Sequence, residues 1–297
     1  MTEALREVVD AQLLARLKGR TLNAGRTAGG VLSGLHKSPY QGSSVEFAQH
    51  REYSPGDDLR HIDWKAYAKS DRYYVKQFED ETNLRVYLLM DTSGSMGYAG
   101  KGRPDKFTYA ARLASCLSWM MLHQGDAVGL VNYGVQLNQL IAPSPQPHHF
   151  WRITEALKNV PIGGETDLVG ALSYLAEVVT RRSLVVICSD CFHFDERVTA
   201  IARQLHQRRH QVVMLHVLDH DESHFPFGDL TVFEDMETGV DVVADPQGMR
   251  TAYLDEFSRW QEELRASCLG GNVKYQRVDT RDPLEATVYD LLREIRR

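Results

Sequence analysis

Five oxygen-bearing side chains, carried by three separate stretches, define the chemistry this chain is equipped for. The stretch Leu84-Arg-Val-Tyr-Leu-Leu-Met-Asp-Thr-Ser-Gly-Ser-Met96 ends an apolar run in Asp91 and follows it with Ser93 and Ser95 around Gly94. A turning backbone can aim that carboxylate and those two hydroxyls at one point. Thr166, in Gly163-Gly-Glu-Thr-Asp-Leu168, adds a third hydroxyl, and Asp190, directly after Leu184-Val-Val-Ile-Cys-Ser189, a second carboxylate. Oxygen donors with few net charges suit a hard six-coordinate cation that keeps some of its waters, Mg²⁺ or Mn²⁺ in the first place and Ca²⁺ in the second. No thiolate or imidazole is needed. The two aspartates gathered at one place would also repel each other, and a bound cation would offset that cost.

The elements that must bring these residues together follow from the hydropathy pattern. Residues 84–90 are too apolar for a half-exposed strand and too few for a membrane span, which predicts a strand buried on both faces of a parallel sheet. Pro104-Asp105 opens a helix, with Pro suiting the first turn and Asp105 complementing the dipole, and Phe107, Ala110, Ala111, Leu113, Ala114, Leu117 and Met121 forming its apolar face to an end near Gly125. Residues 127–133 read as a strand, and 136–141 follow so closely that an antiparallel hairpin through Gly134 is expected, with Pro143, Pro145 and Pro147 enforcing a loop. A helix around 150–159 leads to the Thr166 loop. Helix 168–181, strand 184–188, helix 195–208 and strand 211–218 then alternate, which means a parallel sheet covered on both faces. Residues 230–233 and 240–243 resemble a polar-tipped hairpin decorating an edge, and helix 247–267, strand 273–278 and helix 283–296 complete the unit. In such open sheets ligands gather at the carboxyl ends of the strands where strand order reverses, so the Asp91, Thr166 and Asp190 loops are expected to be neighbours.

The expected fold class is therefore α/β, a doubly wound, mostly parallel central sheet with one antiparallel strand, spanning residues 84–297. Residues 1–83 hold an N-terminal amphipathic helix over 3–18, which packs on the main domain or on a partner, and a β-containing segment. Val45 and Phe47, and Tyr74 to Gln77, alternate as half-buried strands around a Pro55-Gly56-Asp57 turn. Arg51, Glu52, Asp57, Asp58, Arg60 and Asp63 beside Tyr53 and Trp64 read as a salt-bridged clasp rather than a catalytic group.

Composition excludes several classes. The chain has 297 residues and a formal net charge of -6, so nucleic acid, which is held by clustered Lys and Arg, is not an expected partner. The four cysteines are sparse and three lie in apolar patterns, so reduced thiols and a cytoplasmic location are expected. Cys188-Ser-Asp-Cys191 has redox spacing, but Cys188 lies in a buried strand and not at a helix start. The N-terminus does not read as a signal peptide, and no segment reads as a membrane span. His206 and His210 stand one turn apart without a third metal ligand, and His216, Asp219, His220, Asp221 and His224 read as a polar loop on the ligand-bearing edge. No P-loop motif is present, so the chain is not a P-loop ATPase.

The pattern Asp91-x-Ser93-x-Ser95, then Thr166, then Asp190 resembles the metal-ion-dependent adhesion site (MIDAS) of von Willebrand factor A domains. That resemblance implies hydroxyls on the metal, aspartates acting largely through water, and an Asp or Glu of a protein partner at the open position. The family's third motif is usually Asp-Gly, whereas Cys191 follows Asp190 here. Upstream, Glu46-Phe47, Arg51-x-Tyr53-x-Pro55-Gly56-Asp57-Asp58-x-Arg60-x-Ile62-Asp63-Trp64 and Val75-Lys76-x-Phe78-Glu79-x-Glu81 resemble the signature of the bacterial DUF58 family. This second resemblance implies a MoxR-type AAA+ ATPase as partner and an adaptor or co-chaperone role in assembling or activating other proteins.

The expectation is recognition without turnover and no catalytic residue. Two alternatives stand beside it. One is a Mg²⁺-dependent phosphoester hydrolase with Asp91 as nucleophile, against which speak Ser93, where such enzymes carry a second Asp, and the absence of an evident phosphate-steadying Lys. The other is a scaffold whose site holds no metal.

Overall fold

Alternating residues of a single strand feed two different cores. In a computed structural model that describes residues 9, 11–17, 46–53, 62–64, 66–67, 72–79 and 84–296, strand β3 (Arg85–Asp91) is buried from Val86 to its end. Val86, Leu88 and Met90 pack on one face of the sheet with helices α1 (Ala11–Leu17), α2 (Lys106–His123), α3 (His149–Asn159) and α8 (Leu284–Arg296). Tyr87 and Leu89 face the other side, against α4 (Leu168–Val178), α5 (Glu196–Gln207) and α7 (Pro246–Gly270). Burial on both faces is why the strand carries no polar alternation.

The six-stranded sheet runs in the order β10 (Val273–Asp279), β7 (Gln211–Leu218), β6 (Ser183–Ser189), β3, β4 (Ala127–Tyr133), β5 (Leu137–Ser144). All neighbours are parallel except β4 with β5. The chain leaves β3 towards β4 and β5, returns beside β3 as β6, and then builds away towards β7 and β10. Strand order thus reverses between β3 and β6, and their carboxyl ends open the crevice that doubly wound sheets use for ligands.

The predicted elements have counterparts among the described residues, with informative differences: of the helix expected over 3–18 only Ala11–Leu17 is helical, Val9 is not, and the rest of that range and Val45 lie outside the described residues. Asp105 is the N-cap of α2, its side chain accepting from the Thr108 amide, so Pro104 precedes the cap and does not start the helix. Pro143 lies inside β5 and not in a loop; β5 is an edge strand, where a missing N–H costs no ladder bond. Strands β8 (Thr231–Glu234) and β9 (Asp241–Ala244) form a separate two-stranded sheet and do not extend the main one. A five-residue helix, α6 (His220–His224), follows β7 under a capping box made by Asp219 and Glu222.

Helix α1 belongs to the large unit: Leu13, Leu14 and Leu17 are buried in the core that contains α2, which settles its docking on the main domain. The second compact unit falls within residues 28–83. Its strands β1 (Glu46–Glu52) and β2 (Tyr74–Glu79) pair antiparallel, with a register shift between Phe47 and Gln49. Tyr67 stacks on Tyr73, and Tyr53 meets Tyr73 edge-on. Of the predicted clasp, Glu52 pairs with Arg72 at 3.4 Å on the surface, and Asp63 accepts from the Ala66 amide. The Pro55–Asp57 turn, Asp58, Arg60 and the Arg51 side chain lie outside the described residues. Among the described residues no helix is long and apolar enough to cross a membrane.

Candidate metal centre at the strand switch point

Strand β3 delivers Asp91, fully buried, to the crevice. The backbone then turns sharply. Thr92 is held back on the sheet, its amide and hydroxyl both donating to the Tyr133 carbonyl, while Gly94–Gly97 form a single 3₁₀ turn. This turn brings the Ser93 and Ser95 hydroxyl oxygens within 3.1 Å of each other. Asp91 is anchored by accepting from the Ser93 amide at 3.0 Å and from the Ser189 hydroxyl at 2.6 Å, one bond to each oxygen. A carboxylate has about four lone-pair directions, so both oxygens keep capacity.

The Thr166 loop is laced to this turn by two backbone bonds: the Gly94 amide donates to the Gly164 carbonyl, and the Gly163 amide to the Thr92 carbonyl. Gly164 sits at φ +73°, a conformation that favours glycine. On the far side Asp167 caps α4, accepting from the Gly170 amide, and donates its own amide to the Gly134 carbonyl. Thr166 is held between these two anchors. Its hydroxyl oxygen is buried and makes no hydrogen bond. The Ser115, Tyr133 and Ser223 hydroxyls are also buried without a partner; what sets Thr166 apart is its place in the loop bonded to the Ser93–Ser95 turn, where a ligand would satisfy it.

Asp190 follows β6 and is also buried. The residue after it, Cys191, takes φ +59°, which explains why a glycine would suit that position. The loop is not crowded out by the side chain. The Cys191 amide donates to the Ser189 hydroxyl, and its thiol packs in the core beside Met214. Burial pushes this thiol's pKa up, and all four cysteines are free and buried. They are structural, as their apolar surroundings imply.

Sequence reasoning missed the partner of Asp190. Lys106, entirely buried, donates to Asp190 at 2.7 Å and to Glu222 at 2.6 Å, with Phe192 beneath its ammonium. Burial works to lower the lysine pKa, but the Asp190 and Glu222 carboxylates more than reverse this and hold it above the ordinary range. A Lys is therefore close to the crevice after all. Its position, four residues before Ala110 and seven before Leu113 on the apolar side of α2, was the available signal. Asp91 has no such cation among the described residues: burial first, and then the Asp190 charge, push its carboxyl above the usual range. The crevice thus gathers two carboxylates and two adjacent hydroxyls around an incompletely neutralised charge, and the loop that carries the Thr166 hydroxyl is bonded to the same turn. That donor set fits a hard divalent cation.

A second network braces the rim. Asp219, after β7, accepts from Arg103, Thr280 and the amides of Gly100 and Asp221, and these bonds outweigh its burial and hold its carboxyl below the usual range. Arg103 also pairs with Asp221 at 2.6 Å. The predicted polar loop is thus a brace for the segment that holds Tyr98, Gly100 and Arg103, and it is not a loop throughout: residues 220–224 are helical, and His216 lies buried inside β7, bonded to the Tyr275 hydroxyl at 2.6 Å. His220, His224 and Asp279 approach one another closely. The two imidazoles stack face to face, and Arg281 bonds the outer nitrogen of His220, which leaves a hydrogen-bonded array and no open set of ligands. The β8–β9 hairpin covers the turn itself, its Met236 carbonyl standing where a Cβ on Gly94 would be.

Fold and site together define an α/β protein with an oxygen-lined crevice at the switch point of its sheet. The chain belongs to the family described as "Protein of unknown function DUF58", which it matches over residues 49–263. It is 28% identical over 268 residues to the uncharacterized protein Rv1480 of Mycobacterium tuberculosis, covering 88% of this chain and 81% of the relative. The uncharacterized protein YeaD of Bacillus subtilis is 28% identical over 99 residues, 33% of this chain and 23% of that one. Among solved structures, BatB from Bacteroides thetaiotaomicron is similar with a TM-score of 0.48 at 16% identity, over 71% of this chain and 97% of that one. The VWA domain of SpRpn10 has a TM-score of 0.39 at 10% identity, over 71% and 95%. Both scores are below 0.5, and the fold assignment rests on this chain's own strand order.

Proposed function

We propose that the large unit is a von Willebrand A-like protein-binding module that captures a partner's Asp or Glu through a divalent cation, Mg²⁺ before Mn²⁺ or Ca²⁺. Asp91, Ser93, Ser95, Thr166 and Asp190 would hold the cation, which supplies an electrophilic point for a carboxylate. The observation that carries this reading is the buried Thr166 hydroxyl without a partner, in a loop bonded through Gly164 to the Ser93–Ser95 turn. Ser189 and Lys106 orient the two aspartates, one by a hydroxyl bond and the other by charge. The family resemblance makes a MoxR-type AAA+ ATPase the proposed partner and a co-chaperone or adaptor role in assembly the proposed task, in the cytoplasm.

The hydrolase reading gains a Lys that the sequence did not reveal. That Lys is fully buried between Asp190 and Glu222, however, so no face of its ammonium is left for a phosphate. Recognition without turnover is the better fit.

The test is a titration of Mn²⁺, read by its electron paramagnetic resonance signal, into the parent protein and into Asp91→Asn and Thr166→Val variants. An immobilised acidic peptide from the cognate AAA+ protein is then offered with Mg²⁺ or with EDTA. Saturable binding in the parent, weakened in both variants, and peptide capture abolished by EDTA are expected. Equal Mn²⁺ binding by all three proteins, or capture indifferent to EDTA, would overturn the proposal.

A further inference from the structure

Beside the crevice lies a pocket of about 320 Å³, close to the lower end of ligand-sized cavities and suited to one side chain. Ser95 of the candidate centre forms part of its wall. Its base is aromatic. Phe225 stacks on Tyr253 at 4.3 Å and on Phe233 at 5.7 Å, and Phe227 meets Phe233 edge-on at 5.2 Å. Phe225 reaches this place only by taking a left-handed conformation, φ 45°, at the end of α6. A bulky residue there is strained, and such strain persists where the surroundings demand that side chain.

The walls are acidic. Asp221, Glu222, Glu234, Asp235 and Glu237 all line the pocket, and among the described residues His193, paired with Glu237, is its only basic lining residue. Behind the wall Arg103 serves Asp219 and Asp221, and Lys106 serves Asp190 and Glu222. Two cations, Lys106 buried and Arg103 half-buried, therefore answer four carboxylates. Glu234 and Asp235, on the exposed hairpin, are not ion-paired among the described residues. The Tyr98 and Tyr253 hydroxyls hold their protons more tightly than usual, through burial first and then the charges of Asp221 and Glu222 respectively, as a negative potential requires.

The apolar base accepts a hydrocarbon stem and the acidic walls attract a positive head, so together they select a cation with an apolar stem. We infer that this pocket receives a Lys or Arg side chain of the same protein partner whose carboxylate the neighbouring centre captures. The recognised segment is therefore one that presents a basic and an acidic side chain near each other, and a purely acidic segment would leave the pocket empty. The pocket alone would bind weakly; joined to the cation-held carboxylate, the second contact becomes intramolecular and gains effective concentration. This inference rests on the proposed docking of a carboxylate, but its first half is independent of metal.

The full chain with isotope-labelled phenylalanine is titrated in EDTA with the amides of Nα-acetyl-lysine, Nα-acetyl-arginine, Nα-acetyl-norleucine and Nα-acetyl-glutamate. The lysine and arginine probes are expected to shift the Phe225, Phe227 and Phe233 signals at concentrations roughly fivefold or more below those norleucine needs, as attraction to the Glu234 and Asp235 carboxylates implies. Glutamate is expected to shift none of them. A Glu234→Gln/Asp235→Asn variant, in which Asn still accepts the turn amides of Glu237 and Thr238, is expected to lose that preference and keep the norleucine response. Equal responses to lysine and norleucine, or lysine shifts outside the pocket, would overturn the inference. Short peptides with Lys and Asp at increasing separation are then compared with and without Mg²⁺. An optimum separation that binds more tightly with Mg²⁺ supports the joined site. Lysine binding in EDTA with no gain from Mg²⁺ at any separation would leave the pocket standing and refute both the carboxylate docking and its joining to the pocket.

Discussion

Lys106 and Asp190 form a wholly buried ion pair, 2.7 Å long, at the edge of a crevice whose other aspartate has no cation of its own among the described residues. The same ammonium reaches Glu222 in the capping box of α6. The carboxyl ends of β6 and β7 and the start of α2 are thus joined through one charge. Without it, two buried carboxylates would face each other.

Lys106→Met keeps the side chain's volume and removes that charge. Breaking a buried pair on one side costs about 3–5 kcal/mol, because the remaining charges are left uncompensated. Urea unfolding of the variant is expected to show a loss of that size, part of it recovered when Mg²⁺ is present. A loss below about 1 kcal/mol would show that Asp190 and Glu222 do not depend on the ammonium.

Thr166→Val deletes the orphan hydroxyl at nearly constant volume. Because that oxygen is buried without a partner, the metal-free variant is expected to be as stable as the parent or about 1 kcal/mol more stable. Its Mn²⁺ affinity is expected to fall at least roughly tenfold, about 1.4 kcal/mol, while Thr166→Ser restores it. Calorimetric titration separates the two effects. A less stable variant with unchanged affinity would make Thr166 a packing residue.

Gly94→Ala places a methyl group on the Met236 carbonyl. Backbone stands on both sides of the clash, so the β8–β9 hairpin must move. The expected cost is about 1–3 kcal/mol, with faster amide exchange at residues 235–240. Unchanged exchange there would place the strain elsewhere.

Cys191→Val tests the left-handed position after Asp190. A β-branched residue at φ +59° is expected to cost on the order of 2–3 kcal/mol. Cys191→Gly removes the backbone strain but also a small buried side chain, so its net change is expected to stay within about 1 kcal/mol. Thermal unfolding of the two variants should rank them in that order. A valine variant as stable as the glycine one would be the contrary result.

Asp126 offers a pH test away from the crevice. It accepts from the Leu84 amide at 2.8 Å, and burial raises its pKa from 3.8 to about 6 although that bond works the other way. A carboxyl whose folded value is raised makes the protein most stable below the unfolded value and less stable as pH rises towards the folded one. Asp126→Asn keeps an acceptor for Leu84 and removes the titration. Its stability relative to the parent is therefore expected to rise between about pH 4 and pH 6 and then level off. A flat difference across this range would show that Asp126 is not desolvated.

The local parts of the fold are readable in the chain because their causes are local. The apolar run before Asp91, the helix after Asp105, the glycines before Thr166 and the alternation of strands with helices each reflect backbone preference or one-dimensional burial. Strand reversal then follows from the order of elements, which is why Asp91, the Ser93–Ser95 turn and Asp190 could be expected at one edge from spacing alone. Lys106, Glu222, Ser189 and the Met236 carbonyl could not be anticipated in the same way. Lys106 meets Glu222 across 116 residues of chain and Ser189 meets Asp91 across 98, and a lone Lys on a helix says nothing of its partner until packing removes the water around it. The aromatic pocket has the same origin. Phe225, Phe233 and Tyr253 lie on a helix end, a hairpin and a second helix, and only their tertiary approach turns three unrelated rings into one surface beside Ser95.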